Sequence, residues 1–178
     1  MTVLKAAACI LAAMLFTAPG TAGADTATPV PKPSIGSIQR LTAFPSAHVP
    51  PRDVDVWLPP GYSDKKKYAV LYMQDGQMLF DAGITWNKQE WRADETAARL
   101  MAEGKVRPFI IVGIHNGGPR RHVEYFPQKP FEALPDDFRR QLLGMKRNPQ
   151  QALFDGAVDS DAYLKFVVEE LKPYIDSH

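Results

Sequence analysis

Two short runs constrain this chain more than any other feature. Tyr68–Met73 (YAVLYM) and Phe109–Ile114 (FIIVGI) contain no charged residue and show no polar alternation. A strand with one solvated face alternates, whereas a strand covered on both faces reads as an unbroken apolar run. Between the two runs Asp94 is placed to cap a helix reaching about Glu103. Ala97, Leu100 and Met101 mark its apolar face, and Gly104 stands at the C′ position. A helix between two doubly covered strands is the crossover that parallel pairing requires. The reading is therefore α/β: a mostly parallel sheet flanked by helices.

The remaining elements fit around that unit. Ile35–Phe44 and Arg52–Leu58 read as strands. In the second, Val54, Val56 and Leu58 alternate with Asp53, Asp55 and Trp57, the period of a half-buried strand. Leu58-Pro59-Pro60-Gly61-Tyr62 is a turn, and Lys65–Lys67 reads as solvated. Residues 116–159 form a long mixed segment with a short helix expected near Asp136–Leu143. Segments of that length are often lids or binding loops. Ser160 is placed to cap a last helix carrying Tyr163, Phe166, Val167, Leu171 and Tyr174, closed by Pro173 and the chain end.

Parallel sheets bind ligands beyond the carboxyl ends of their strands. Asp75-Gly76-Gln77 and His115-Asn116-Gly117-Gly118 follow the two apolar strands, so the two loops should face each other. Gly76 has two readings. It can let backbone N–H groups approach a ligand and stabilise an oxyanion, or it can belong to an ordinary tight turn.

The start of the chain has another logic. MTVLK, an apolar stretch from Ala6 to Phe16 and the A-x-A triplet Ala22-Gly23-Ala24 make a secretory leader, too short to span a membrane. The expected organisation is a leader at 1–24, a proline-rich linker at 25–34 and one domain at 35–178, with a secreted or periplasmic product. Cleavage after Ala24 would remove Lys5 and Cys9. That leaves 20 basic against 20 acidic residues and no thiol for a disulfide, a nucleophile or a metal. The neutral balance argues against nucleic acid as partner. No later segment is apolar enough to cross a membrane.

Several linked stretches carry a family likeness. VLYMQDGQMLFD, TWNKQEWRADE (Thr85–Glu95) and VRPFIIVGIHNGGPRRHVEYFP (Val106–Pro127) lie downstream of RDVDVWLPPGY (Arg52–Tyr62). They lie upstream of FDGAVDSDAYLKFVVEELKPYIDSH. Together they resemble the Putative esterase family of α/β-hydrolases, which includes esterase D-like proteins, siderophore esterases and feruloyl esterases. The resemblance implies a Ser-His-Asp/Glu carboxylic-ester hydrolase with a G-x-S-x-G nucleophile elbow. It also implies an oxyanion hole built on the backbone N–H groups of Gln77 and Gly76.

The sequence departs from that pattern in one respect: no G-x-S-x-G occurs in it. The expectation is the N-terminal half of an α/β-hydrolase sheet, truncated before the nucleophile strand, without a catalytic triad and inactive alone. A non-catalytic module binding carbohydrate or siderophore is the alternative. Trp86, His115 and Asn116 are candidate substrate contacts. Trp86 and Trp91 can stack on a sugar-linked substrate or pack their loop on the sheet. Arg121 and Glu124 read as loop braces. Asp75, Asp81, Asp94 and Glu95 lack metal-loop spacing, so no metal and no cofactor are expected. The expected partner is a small-molecule or carbohydrate-linked ester.

Overall fold

The computed structural model describes residues 28–178. The expected leader therefore lies outside the described residues. The sheet holds β1 (Ser37–Phe44), β2 (Arg52–Leu58), β3 (Ala69–Gln74) and β4 (Phe109–Ile114), in the order β1-β2-β4-β3. β1 and β2 are joined by a short proline-bounded connection, which forces antiparallel pairing. β2 then pairs antiparallel with β4. Only β3 and β4 run parallel, with Ala69 opposite Phe109 and Gln74 opposite Ile114. The helix between them, α1 (Ala93–Ala102), makes that crossover possible. The α/β class stands, but within this four-stranded sheet two of the three pairings are antiparallel, not mostly parallel.

Burial corrects two readings of the strands. β3 is not covered on both faces. It lies at the edge of the sheet among the described residues, and Leu71 is 44% exposed. β2 is instead buried along nearly its whole length, because β1 and β4 flank it. Its polar position Asp55 is fully buried and is held there by Arg40, which donates to both carboxylate oxygens at 2.7 Å. A paired carboxylate thus occupies a place that alternation assigned to solvent.

One sheet face carries Val54, Val56, Val112 and Ile114 against the last helix. That helix runs as α5 (Ser160–Lys165), a wider π-type stretch (Phe166–Leu171) and α6 (Lys172–Ser177). Pro173 has no N–H to donate backwards, and the wider turns come directly before it. Pro173 does not end the helix, as expected, but sits inside it. Phe166 and Leu171 are wholly buried; each contributes about 2 kcal/mol through removal of apolar surface. The other face packs Trp57, Ile111, Leu79 and Phe80 against Ala97 of α1.

The caps differ from expectation. Asp94 lies within α1, fully buried, and accepts the Ile35 N–H at 3.1 Å. Ser160 accepts the Gln128 N–H at 3.0 Å instead of capping α5. Gly104 does follow α1 with a φ of +66°. The expected linker lies against the domain in its described part. Pro31 is buried, and the Lys32 N–H donates to Asp81 at 2.9 Å.

Residues 116–159 are not an open loop. They hold α2 (Arg121–Tyr125), α3 (Gln128–Glu132), α4 (Asp136–Leu143) and a small hairpin of β5 (Lys146–Asn148) and β6 (Gln151–Ala152). Val123, Phe131, Phe154 and Val158 give this region its own apolar centre. Short helices tied by scattered aromatics give no long periodic signal, so the sequence showed only α4.

Candidate active site

The carboxyl ends of β3 and β4 meet as expected. Asp75 follows β3 in the left-handed conformation, φ 55°, and a single 3-10 turn (Gly76–Met78) succeeds it. A non-glycine residue in that region is uncommon and is held by its surroundings. The Asp75 carboxylate receives Arg121 Nε at 2.8 Å, Arg121 Nη2 at 2.7 Å and Asn116 Nδ2 at 2.6 Å. The Asn116 N–H donates to Gln77 Oε1 at 3.2 Å, and the Gly118 N–H donates to Asn116 Oδ1 at 2.9 Å. The two glycine-bearing loops are therefore fastened to each other by side chains.

Gly76 has a packing reason to be glycine. A Cβ there would lie 2.4 Å from the Gly113 carbonyl oxygen and 2.5 Å from its carbon. The bare side of Gly76 faces β4 and not a ligand. The turn leaves two N–H groups unused: neither Gly76 nor Gln77 donates to any group among the described residues, whereas Met78 and Leu79 do. The second half of the strand-end stretch is also fixed. The Met78 carbonyl accepts the Trp91 N–H at 2.9 Å and the Leu79 carbonyl accepts the Ala93 N–H at 3.1 Å.

A cavity of about 740 Å³ opens over this turn, lined by Asp75, Gln77, Trp86, Asn116, Arg121 and Arg147 among others. Burial alone would raise the Asp75 carboxyl. The hydrogen bonds from Arg121 and Asn116 outweigh burial and hold it below its usual range. Asp75 is therefore a fixed anion paired to a fixed cation, not a proton donor at neutral pH.

The candidate residues separate in space. Gln77, Trp86 and Asn116 line the cavity; Gly76 and His115 do not. The His115 ring is buried, its Nε2 2.8 Å from Asp55 Oδ2 and 3.4 Å from Arg40 Nη2. Asp55, held by His115 and Arg40, also stays below the usual carboxylate range despite its burial. Trp86 does not pack its loop on the sheet, being 86% exposed, and Trp91 is 53% exposed. Arg121 and Glu124 brace loops, though not each other. Glu124 is fully covered and accepts Arg52 Nη1 at 2.8 Å and Nη2 at 2.9 Å.

Sequence reasoning missed Arg147 and Met78 as lining residues and Arg40 as a buried partner. Arg40 and Arg147 stand in no recognisable motif, and Met78, though inside VLYMQDGQMLFD, is apolar and carries no chemical signal. The acidic residues weighed for a metal are engaged elsewhere: Asp81 with the Lys32 and Gly83 N–H groups, Asp94 with Ile35, Glu95 with Arg92. Among the described residues no helix is long and apolar enough to cross a membrane.

Residues 50–178 match the family described as Putative esterase. Among solved structures, the chain is similar to a CE1 ferulic acid esterase from Anaeromyces mucronatus in complex with ferulic acid. That match has 21% identity, covers 81% of this chain and 43% of the other, and has a TM-score of 0.47. An IroE-like serine hydrolase from Shewanella oneidensis matches at 25% identity over 79% of this chain and 38% of its own, TM-score 0.48. The BES protein of Bacillus cereus matches at 17% identity over 79% and 47%, TM-score 0.48. The chain thus spans less than half the length of each of these proteins.

Proposed function

The chain belongs to the Putative esterase family, and we propose that it supplies the oxyanion-stabilising side of a serine carboxylic-ester hydrolase site. The observation that carries this reading is the strand-end turn. Gly76 and Gln77 hold two N–H groups without acceptors at the mouth of β3, in a loop immobilised by Asp75, Asn116 and Arg121. Such preorganised donors stabilise the negative charge that develops on a carbonyl oxygen during acyl transfer. The Gln77 N–H is the first donor and the Gly76 N–H the second. The substrate is a small-molecule ester held over the turn.

No serine of the chain stands in G-x-S-x-G. The nucleophile of this proposal therefore comes from polypeptide outside these residues, and the chain by itself does not turn over. Hydrolysis of p-nitrophenyl acetate tests this. The 178-residue chain should stay at the buffer rate. An in-frame product from the source DNA that carries a downstream G-x-S-x-G should be active. In that product Gln77→Pro, which removes the N–H, should lower kcat by about 10²–10³ with little change in KM. Turnover by the shorter chain, or full kcat in the proline variant, overturns the proposal. Export is part of the same reading, supported by Lys5, the Ala6–Phe16 stretch and Ala22-Gly23-Ala24. A mature N-terminus at Asp25 in the secreted or periplasmic fraction is the expected result.

A further inference from the structure

The cavity over the strand-end turn is not electrically balanced. Three charged side chains line it: Asp75, Arg121 and Arg147. Asp75 and Arg121 form a bidentate pair and cancel. Arg147, carried by the β5–β6 hairpin, makes no side-chain hydrogen bond or ion pair among the described residues and is exposed. His122 adds no second positive charge at neutral pH, since burial, Arg121 and Arg147 together hold its imidazole below the ordinary value. One uncompensated guanidinium therefore stands at the mouth.

Beside that cation the same cavity presents two exposed indoles, Trp86 and Trp91. Large aromatic surface left in water at a cavity mouth favours a flat partner, because stacking removes apolar area from both. A guanidinium next to it favours an anion, most strongly a carboxylate or phosphate that it can grip with two parallel N–H groups.

We propose that this mouth selects esters carrying a negatively charged group next to a flat ring face, either an aromatic ring or a sugar. Arg147 supplies the charge selection and Trp86 the platform. The inference rests on the cavity being the substrate site and deepens that reading from ester to anionic ester. The substrate part bound here is the portion that projects outward from the reacting carbonyl, since Gln77 lies at the floor and Trp86 in the open.

The test is a binding measurement on the full chain, so it does not depend on any nucleophile. The probes are 4-nitrophenyl β-D-glucuronide and 4-nitrophenyl β-D-glucoside, which share their rings and differ by one carboxylate. Binding is followed through the indole N–H resonances of Trp86 and Trp91, assigned with Trp86→Phe and Trp91→Phe. At low salt the glucuronide should bind about threefold to tenfold more tightly, the range of a partly exposed charge-assisted contact. The preference should shrink as added salt screens the charges. Arg147→Gln should abolish the preference, and Arg147→Lys should keep part of it. Trp86→Ala should weaken both probes. Equal binding of the two, failure of either to bind, or a preference that survives Arg147→Gln overturns the inference. Charge-selective binding without ester hydrolysis in the longer product would sink the esterase reading alone. Hydrolysis without charge selection would sink this inference alone.

Discussion

Gly76→Ala separates two roles for the glycine at the tip of β3. If the missing side chain exists to admit a ligand, alanine leaves stability intact and harms binding. If it exists to admit β4, alanine destabilises the fold itself. The distances favour the second. The new Cβ would sit 2.4 Å from the Gly113 oxygen, 2.5 Å from the Gly113 carbon and 2.9 Å from the Ile114 carbon. Relaxed carbon contacts lie near 3.5 Å or beyond, so the turn must retreat by roughly 1 Å. All three atoms are backbone atoms of β4, which is pinned between β2 and β3, so rotation of a side chain cannot relieve the clash.

Overpacking of this kind costs about 1–3 kcal/mol. Alanine also lowers the entropy of the unfolded chain, which offsets about 0.4–1 kcal/mol. The net loss should be near 2 kcal/mol at the upper end of that range. With a urea dependence of about 2 kcal/mol per molar, the unfolding midpoint should fall by about 1 M. Gly113→Ala is the internal comparison. Its Cβ would meet Leu79 Cδ1 at 2.9 Å, the movable end of a side chain, so its midpoint should fall by less. An unchanged midpoint in Gly76→Ala, or a larger fall in Gly113→Ala, refutes the packing argument.

Three further outcomes are expected. Arg121→Gln leaves the buried Asp75 carboxylate with Asn116 as its only partner of the two; because Arg121 is itself part exposed, the loss at pH 7 should be about 2 kcal/mol, below the value for a fully buried pair. Asp75 is depressed in the native protein, so its contribution is complete above the unfolded carboxylate range and fades as pH falls through the folded value. The difference between variant and parent, followed by urea melts, should therefore narrow on acidification, and a gap that widens would contradict the ion-pair account. Arg52→Met removes both hydrogen bonds of the covered Glu124, leaving it only Arg120 at 3.5 Å, and should cost about 3 kcal/mol, while Arg52→Met with Glu124→Leu should recover most of it; equal melting of single and double variants would show no coupling. Leu71→Lys at the open β3 edge should reduce concentration-dependent association in sedimentation, and unchanged association would place the contact elsewhere.

The strands were legible because their signal is local. Arg52–Leu58 and Phe109–Ile114 needed only composition and turn residues to place them, and the observed limits agree. Their environment was not local. YAVLYM reads as a doubly covered strand, yet Leu71 is open, because coverage depends on a neighbour and not on the strand's own residues. Asp55 reads as solvent-facing and is fully buried, because its partners are distant in the sequence, Arg40 in β1 and His115 just past β4. The juxtaposition of the two glycine loops was legible, since parallel pairing of β3 and β4 fixes it. The cavity's lining was not, because Arg147 reaches it through a hairpin of weak sequence signal.

Three arginine–carboxylate pairs now explain how the turn after β3 is kept ready. Arg40 fixes Asp55 beneath His115, Arg52 fixes Glu124 in α2, and Arg121 fixes Asp75 itself. Arg52 also lies over the Phe166 ring at 5.3 Å and the Tyr163 ring at 5.5 Å, which joins this frame to the long helix. The first ties β1 to β2, the second ties β2 to α2, and the third ties α2 to the turn after β3. Pairing also removes these charges from the cavity's balance. The stretch that runs from a strand into Asp75-Gly76-Gln77 therefore ends in a neutral floor that Gln77 lines and buried Gly76 backs, both N–H groups being without an acceptor among the described residues. Among the described residues, the only lining charge without a partner is Arg147, at the rim. On the proposed reading, a negative charge forming at the floor is met by N–H dipoles alone, and a negative charge already on the ligand is directed outward, toward Arg147.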